Sequence, residues 1–355
     1  IGAWLGSLYY GTRLLLMTPL AFLVSPARWL WAIHRHRGTL TAAPNFAYEL
    51  CLNKVMEDEL DGLDLSSLRR AFNGAEPVSP STVRRFGERF APYGLQPQVM
   101  APVYGLAEAA VGLAFPPSGR GPVIDRIDRE SFVTRGRAVP VTETAEDALE
   151  FVACGEPLPG YQIRIVGEAG RELPEREEGR LQFQGPSASS GYLRNPAATA
   201  RLFDGDWLDS GDLAYIAGGD VYLTSRVKDV IIRGGRNIYP HELEEAAGDI
   251  PGIRKGCVAV FGSSDPDTAT ERVIVVAETR EEEPASRDAL QTRIREIATD
   301  LLGMPPEEVI LAPPHTVLKT CLLYTSDAAD DEYNVVLSVV GGGVARGGGG
   351  GGGGG

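Results

Sequence analysis

Three short stretches gather residues able to hold a nucleotide and its metal ion. NGAEP, Asn73 to Pro77, reads as a strand-end turn with Gly74, and then Ala75, Glu76 and Pro77; a glycine there lets backbone approach a bound group closely. YGLAEAA, Tyr104 to Ala110, offers the Tyr104 ring as a face for a purine, then Gly105 and Leu106, and four residues on the Glu108 carboxylate, a candidate Mg²⁺ ligand. DSGDLA, Asp209 to Ala214, presents Asp212 in a glycine-containing loop, where a carboxylate can accept from both ribose hydroxyls at about 1.5–3 kcal/mol per charge-assisted bond. Arg226 and Lys228 follow at a change of pattern. Each stretch also has an ordinary reading: a plain turn, a glutamate in a helix's first turn, a turn-forming aspartate, solvated surface cations.

The surrounding elements alternate. Trp29, Leu30 and Ile33 lie at helical spacing over Pro26 to Arg37, with Gly38 as the expected C-cap and TLTA as a strand behind it. Asn45 to Glu57 reads as a helix, SLRRAFNGAEP as a strand entering a tight turn, and Ser79-Pro80 as the cap and first residue of a helix to Phe90. This alternation predicts layered α/β structure. From about Glu150 the strands EFVA, YQIRIV and GRLQFQG, parted by Pro and Gly turns, predict a β-rich subdomain over residues 150–225. Beyond Arg226 the order VIIR, PHELEEAAG, CVAVFG, ERVIVVAET and a long helix from Pro284 to Leu302 predicts a compact α+β unit. The expected fold is therefore α/β: a large domain over 1–227 joined by a hinge to a small α+β domain over 228–320.

Composition narrows the partners. With 355 residues, 43% of them apolar, the chain can bury two cores. A net charge of -14 argues against a nucleic-acid surface, which needs clustered Lys and Arg. The apolar run Leu14 to Val24 is broken by Pro19 and falls short of the roughly 20 residues a membrane span needs, so it is expected to be a buried strand and turn. Cys51, Cys154, Cys257 and Cys321 form no metal or redox spacing, consistent with a reduced cytoplasm. The histidines, His34, His36, His241 and His315, form no convincing triad; His34 and His36 fall on different helix faces and read as structural. No G-x-S-x-G elbow is present, and no G-x-G-x-x-G joins a strand to a helix, which disfavours a dinucleotide-dependent reductase.

Taken in order, NGAEP, YGLAEA, SGDLA and SRVKDVIIRGGRNIYPHELE resemble the acyl- and aryl-CoA ligase, luciferase and peptide-synthetase adenylation superfamily, over essentially all of residues 1–320. The resemblance implies that Gly74 to Pro77, Tyr104, Gly105 and Leu106 line the adenine site. It further implies that Glu108 binds Mg²⁺, that Asp212 and Arg226 hold the ribose of ATP, and that Lys228 is a hinge between domains. Gly234 and Gly235 would lie on a loop that swings toward the acceptor. APNFAYEL, FNGAEPV and the extended segment from Pro116 to Cys154, followed by GEPLPG, are most similar to fatty-acyl-AMP ligases. These activate a fatty acid and hand it to an acyl carrier protein or polyketide synthase, and a comparable insertion is thought to restrain hinge motion there. Asn45 and Phe46 are the corresponding candidates for the acyl chain, a generic apolar core being the alternative.

Two departures bear on activity. The family's glycine-rich phosphate loop is expected upstream of Ile1, and its Ser-Gly-Lys soon after Lys319-Thr320, where this chain continues with Cys321. From Cys321 to Gly355 the text ends in nine consecutive glycines and reads as a sequencing artefact, so the chain is expected to be an impaired fragment. The competing expectations are an acyl-CoA synthetase that uses coenzyme A, and an inactive nucleotide-binding or carrier-docking module.

Overall fold

The computed structural model describes residues 2–145, 147–233, 236–264 and 271–317. Lys319, the Cys321–Gly355 tail and the Gly234–Gly235 pair therefore lie outside the described residues. The chain divides into two compact units, Ile1–Val227 and Lys228–Gly355.

The first unit opens with helices α1 (Gly2–Tyr10) and α2 (Pro19–Val24). The run expected to be a buried strand is instead α2 and its lead-in: Thr18 caps the helix by accepting from Ala21 N–H at 3.3 Å, Pro19 occupies its first position, and Leu16, Leu20 and Val24 are exposed. Helix α3 (Ala27–His36) buries Leu30 and Ile33 as their spacing predicts. Its terminus corrects the expectation at Gly38, because Arg37 takes the left-handed conformation (φ 52°) while Gly38 N–H closes onto Ile33 O at 2.9 Å. His34 accepts from Asp64 N–H at 3.0 Å through Nδ1, a structural bond.

Next come β1 (Leu40–Ala43), α4 (Asn45–Lys54), β2 (Arg70–Asn73), α5 (Pro80–Phe90) and β3 (Met100–Pro102). This is a βαβαβ unit whose strands pair in parallel in the order β1-β2-β3. Helix α4 stops three residues before Glu57, and a single 3-10 turn, Glu57–Leu60, follows. Ser79 caps α5, its hydroxyl accepting from Thr82 N–H at 3.2 Å. Tyr48, Phe86, Phe90 and Leu30 pack the helices over the sheet in one core.

The segment read as an extended insertion holds more structure than expected. Strand β4 (Ala114–Phe115) leads to β5 (Ile124–Asp128), α6 (Arg129–Arg135) and β6 (Ala148–Val152), with β5 and β6 antiparallel. Asp128 caps α6, Gly136 ends it with a positive φ, and Phe132 packs edge-on and tilted against Tyr215 and Phe151. The β-rich subdomain then runs through β7 (Glu156–Pro157), which pairs with β4, β8 (Gln162–Val166), β9 (Gly179–Gln184), helix α7 (Pro196–Leu202), β10 (Phe203–Asp204), β11 (Trp207–Ala217) and β12 (Asp220–Arg226). Its sheet has the order β10-β11-β9-β8, with β12 also on β11, all antiparallel.

The second unit contains hairpin strands β13 (Ile231–Arg233) and β14 (Arg236–Ile238), then α8 (Pro240–Gly248), β15 (Ile253–Ser264), β16 (Glu271–Thr279), α9 (Pro284–Leu302) and β17 (Glu308–Ala312). Antiparallel β15-β16 and parallel β16-β17 make one sheet, onto which α8 and α9 bury Leu243, Ala247, Leu290 and Ile294. Pro284 at the start of α9 and Gly303, at φ 74°, beyond its end are the expected punctuation. Among the described residues no helix is long and apolar enough to cross a membrane.

Candidate functional site

All three parallel strands deliver a sequence-selected segment at their carboxyl ends, the position where open α/β sheets bind ligands. β1 runs into Asn45, β2 into NGAEP and β3 into YGLAEAA. In NGAEP a side chain at Gly74 would place its Cβ 2.8 Å from Val103 O, so two neighbouring strand ends approach closely only because this residue is glycine. Ala75 sits at φ 68°, a left-handed conformation that costs a residue with a Cβ, and with Pro77 it is exposed. The YGLAEAA turn is tighter still. A Cβ on Gly105 would lie 1.6 Å from Val111 O, and both Ala110 and Val111 hold positive φ, 52° and 88°.

Asp212 reaches the same place from the antiparallel sheet. It lies in strand β11, not in a free loop as expected, but the strand is irregular there. Asp209 pairs with Gln182 and Leu213 with Arg180, so Ser210, Gly211 and Asp212 together oppose only Leu181. Gly211, at φ 77°, makes the bulge possible. Ser210 stitches it, its hydroxyl donating to Leu181 O at 2.8 Å and accepting from Asp212 N–H at 3.1 Å. On its other side β11 pairs with β12 so that Asp212 faces Arg226 directly. The hairpin explains why two residues fourteen apart in sequence act on one spot, with Arg226 Nε 3.9 Å from Asp212 Oδ1.

Tyr104 closes the group. Its hydroxyl donates to Asp212 Oδ2 at 2.5 Å, across 108 residues of sequence. The ring, expected to offer a face to a purine, is 6% exposed and belongs to the core with Leu113, Leu181 and Phe183. The Tyr104 hydroxyl helps fix Asp212. Burial raises the Asp212 pKa above the usual carboxylate range; the Tyr104 hydroxyl and Arg226 pull it back, while the charges of Glu108 and Asp209 push it up. Burial, and then the Asp212 charge, raises the Tyr104 pKa well above its ordinary value. Asp212 keeps 18% side-chain exposure, and a carboxylate has lone pairs for several donors, so a vicinal diol could bond to it.

Glu108 lies in a single 3-10 turn, Ala107–Ala109, held from the antiparallel sheet. Ser189 N–H donates to Glu108 O at 2.7 Å, Tyr161 and Ser187 hydroxyls donate to Ala109 O at 3.0 and 3.1 Å, and the Tyr192 hydroxyl donates to Glu108 Oε1 at 2.5 Å. Burial and the Glu108 carboxylate push the Tyr192 pKa up to about 12. Tyr161, Ser187 and Tyr192 were not selected from sequence. The GYLRNP turn around Tyr192 was the available signal. Among the described residues no three His, Cys, Asp or Glu side chains cluster to cage a metal. A divalent cation here would be shared between Glu108 and substrate phosphates, the usual arrangement for Mg²⁺.

Asn45 and Phe46 are placed by hydrogen bonds at the first turn of α4. Phe46 N–H donates to Glu76 Oε1 at 2.5 Å, and the Asn45 amide bonds to Asn73, Ser79 and Thr82. Lys228 is exposed, one residue past the boundary between units.

The AMP-binding enzyme family matches residues 1–193, more than half of the chain. The chain belongs to that family. Among its relatives is the long-chain-fatty-acid--AMP ligase FadD26 of Mycobacterium marinum, 32% identical over 327 residues, which cover 86% of this chain and 55% of that protein. The solved structure of fatty acyl-adenylate ligases from E. coli and L. pneumophila superposes with a TM-score of 0.81 at 34% identity, covering 88% of this chain and 56% of that one. The L. pneumophila fatty acyl-adenylate ligase in complex with acyl adenylate and pyrophosphate gives 0.63 at 27% identity, covering 89% and 57%. This AMP-binding family member spans about half the length of the curated relatives it matches, 48–58% of the first three.

Proposed function

We propose that this chain is the adenylate-holding part of a ligase that activates a fatty acid with ATP and passes the acyl group to the thiol of an acyl carrier protein or polyketide synthase. The observation that carries the reading is the Tyr104–Asp212–Arg226 group beside Glu108, in a member of the AMP-binding enzyme family. In the first step a fatty carboxylate oxygen attacks the α-phosphorus of ATP, and the bond to pyrophosphate breaks. Positioning and charge neutralisation drive such a step, and no protein nucleophile is required. Asp212 accepts from the ribose hydroxyls and the Arg226 charge favours its carboxylate form against burial, while Gly74 to Pro77, Tyr104, Gly105 and Leu106 border the adenine. Mg²⁺, held by Glu108 with the phosphates, supplies charge neutralisation when bound.

Lys228 acts as the hinge in this reading, supported by its place directly after the boundary between the two units. With Cys321 standing where the family's Ser-Gly-Lys is expected, the chain as given binds the adenylate and forms it slowly. The thiols of Cys51 and Cys154 are buried and free, which supports a reduced, cytoplasmic setting.

The test is a product assay on the full-length parent with fatty acid, ATP and Mg²⁺, offered either coenzyme A or a phosphopantetheine-bearing carrier protein. The expected products are acyl-adenylate and acyl-carrier. Acyl-CoA formed as fast as the adenylate would overturn the choice of acceptor. Absence of pyrophosphate exchange would overturn the activation itself and favour a binding module.

A further inference from the structure

Behind the NGAEP turn runs a chain of buried polar groups whose directions are all set by one carboxylate. Glu49, buried on α4, is acceptor-only when ionised, and the Thr82 hydroxyl lies 2.6 Å from its Oε1, so Thr82 must donate. Arg85 Nη1 at 3.3 Å donates to the same oxygen, and Asn53 Nδ2 at 3.3 Å to the other. Having given its proton away, Thr82 Oγ1 can only accept, and it does so from Asn45 Nδ2 at 3.3 Å. The Asn45 amide is thereby oriented, with its oxygen turned toward β2 and α5. Asn73 Nδ2 donates to that oxygen at 3.0 Å and Ser79 N–H at 3.3 Å. Asn73 must therefore present its NH₂, and its buried Oδ1 is left with no partner among the described residues, an orphan that the relay's direction explains.

Asn73 and Ser79 bracket the strained turn. Between them Ala75 holds φ 68°, and Glu76 is tied separately to α4 by accepting from Phe46 N–H at 2.5 Å. Strained backbone persists only where its surroundings over-determine it. Here the first turn of α4 grips both ends of the turn and its middle.

We propose that Asn45, Thr82 and Glu49 are positioning residues for the nucleotide-side turn: the Glu49–Thr82–Asn45 relay fixes Asn73 and Ser79, and so sets the adenine-facing backbone from Gly74 to Pro77. Asn45 then acts from behind the turn and not on the acyl chain. The inference rests on the reading that this turn borders the adenine.

The experiment measures the affinity of the chain for AMP and for IMP, which differ only at the purine edge, together with the melting temperature of the ligand-free protein. The wild type should prefer AMP. Thr82→Val, which keeps shape and removes the hydroxyl, should bring the AMP-to-IMP ratio at least fivefold nearer to one with melting shifted by only a few degrees. Thr82→Ser should restore the ratio, and Glu49→Gln, which frees Thr82 to reverse its bond, should lower it as Thr82→Val does. If Thr82→Val and Glu49→Gln keep the wild-type ratio, the relay is merely structural and the proposal is overturned. If the wild type itself does not distinguish AMP from IMP, the adenine reading of the turn fails, and the relay's role falls with it. Should Glu49→Gln not fold, the Val and Ser pair at Thr82 decides.

Discussion

In the second unit, α9 starts at a proline, ends before a left-handed glycine, and lays Leu290 and Ile294 on a sheet of near-continuous Val and Ile. At the carboxyl ends of β1, β2 and β3 the chain does the opposite: Ala75, Ala110 and Val111 hold positive φ without being glycine, Gly105 lies against backbone, and an aspartate sits on a bulge. One region follows local preference and the other resists it. Local strain maintained by long-range hydrogen bonds is how a rigid scaffold shapes a site, and regular packing is how it stays folded.

Substitutions can break this contrast. The largest effect is expected in the regular unit: Ile294→Ala removes a fully buried side chain and should cost about 2–5 kcal/mol in denaturant unfolding. Nucleotide affinity measured well below the transition should not change. Gly105→Ala should cost about 3 kcal/mol, because its Cβ would collide with Val111 O, and here nucleotide binding should be lost along with stability.

Smaller effects run the other way. Burial raises the Asp212 pKa, so its contribution to stability is present below the ordinary aspartate range and is lost as pH rises through the folded-state value. Asp212→Asn cannot ionise. It should melt above the wild type at pH 7, the gap closing as pH falls into the acid range, while AMP affinity falls about tenfold, to that of the nucleotide lacking ribose hydroxyls. Smallest is Val111→Gly, which relieves a β-branched residue at φ 88° on an exposed turn and should stabilise by about 1 kcal/mol. A loss of stability there would mean that the turn is not strained.

The same contrast explains what could be read from sequence. The α5 cap, α8, α9 and their neighbouring strands were legible because capping residues and apolar periodicity are local signals. The exposed α2 was misread because an apolar run marks neither helix nor burial by itself. Glu108, Asp212 and Arg226 were legible as residue types in a familiar order. That Tyr104 turns its hydroxyl to Asp212 was not, since the bond spans 108 residues and depends on a bulge that only sheet pairing creates. Tyr192 escaped because the GYLRNP turn signals only a turn and nothing local says that its tyrosine will meet Glu108; Asn45 was selected as a candidate for the acyl chain, but its bonds to Asn73, Ser79 and Thr82 were not legible.

The most direct test of the site is a binding titration comparing AMP with 2′,3′-dideoxy-AMP, on the wild type and on Asp212→Asn. If Asp212, held by Tyr104 and faced by Arg226, takes the ribose hydroxyls, the wild type should bind AMP at least about tenfold more tightly, the weight of one charge-assisted bond, and Asp212→Asn should erase the difference. Equal affinity of the wild type for the two nucleotides would contradict the account.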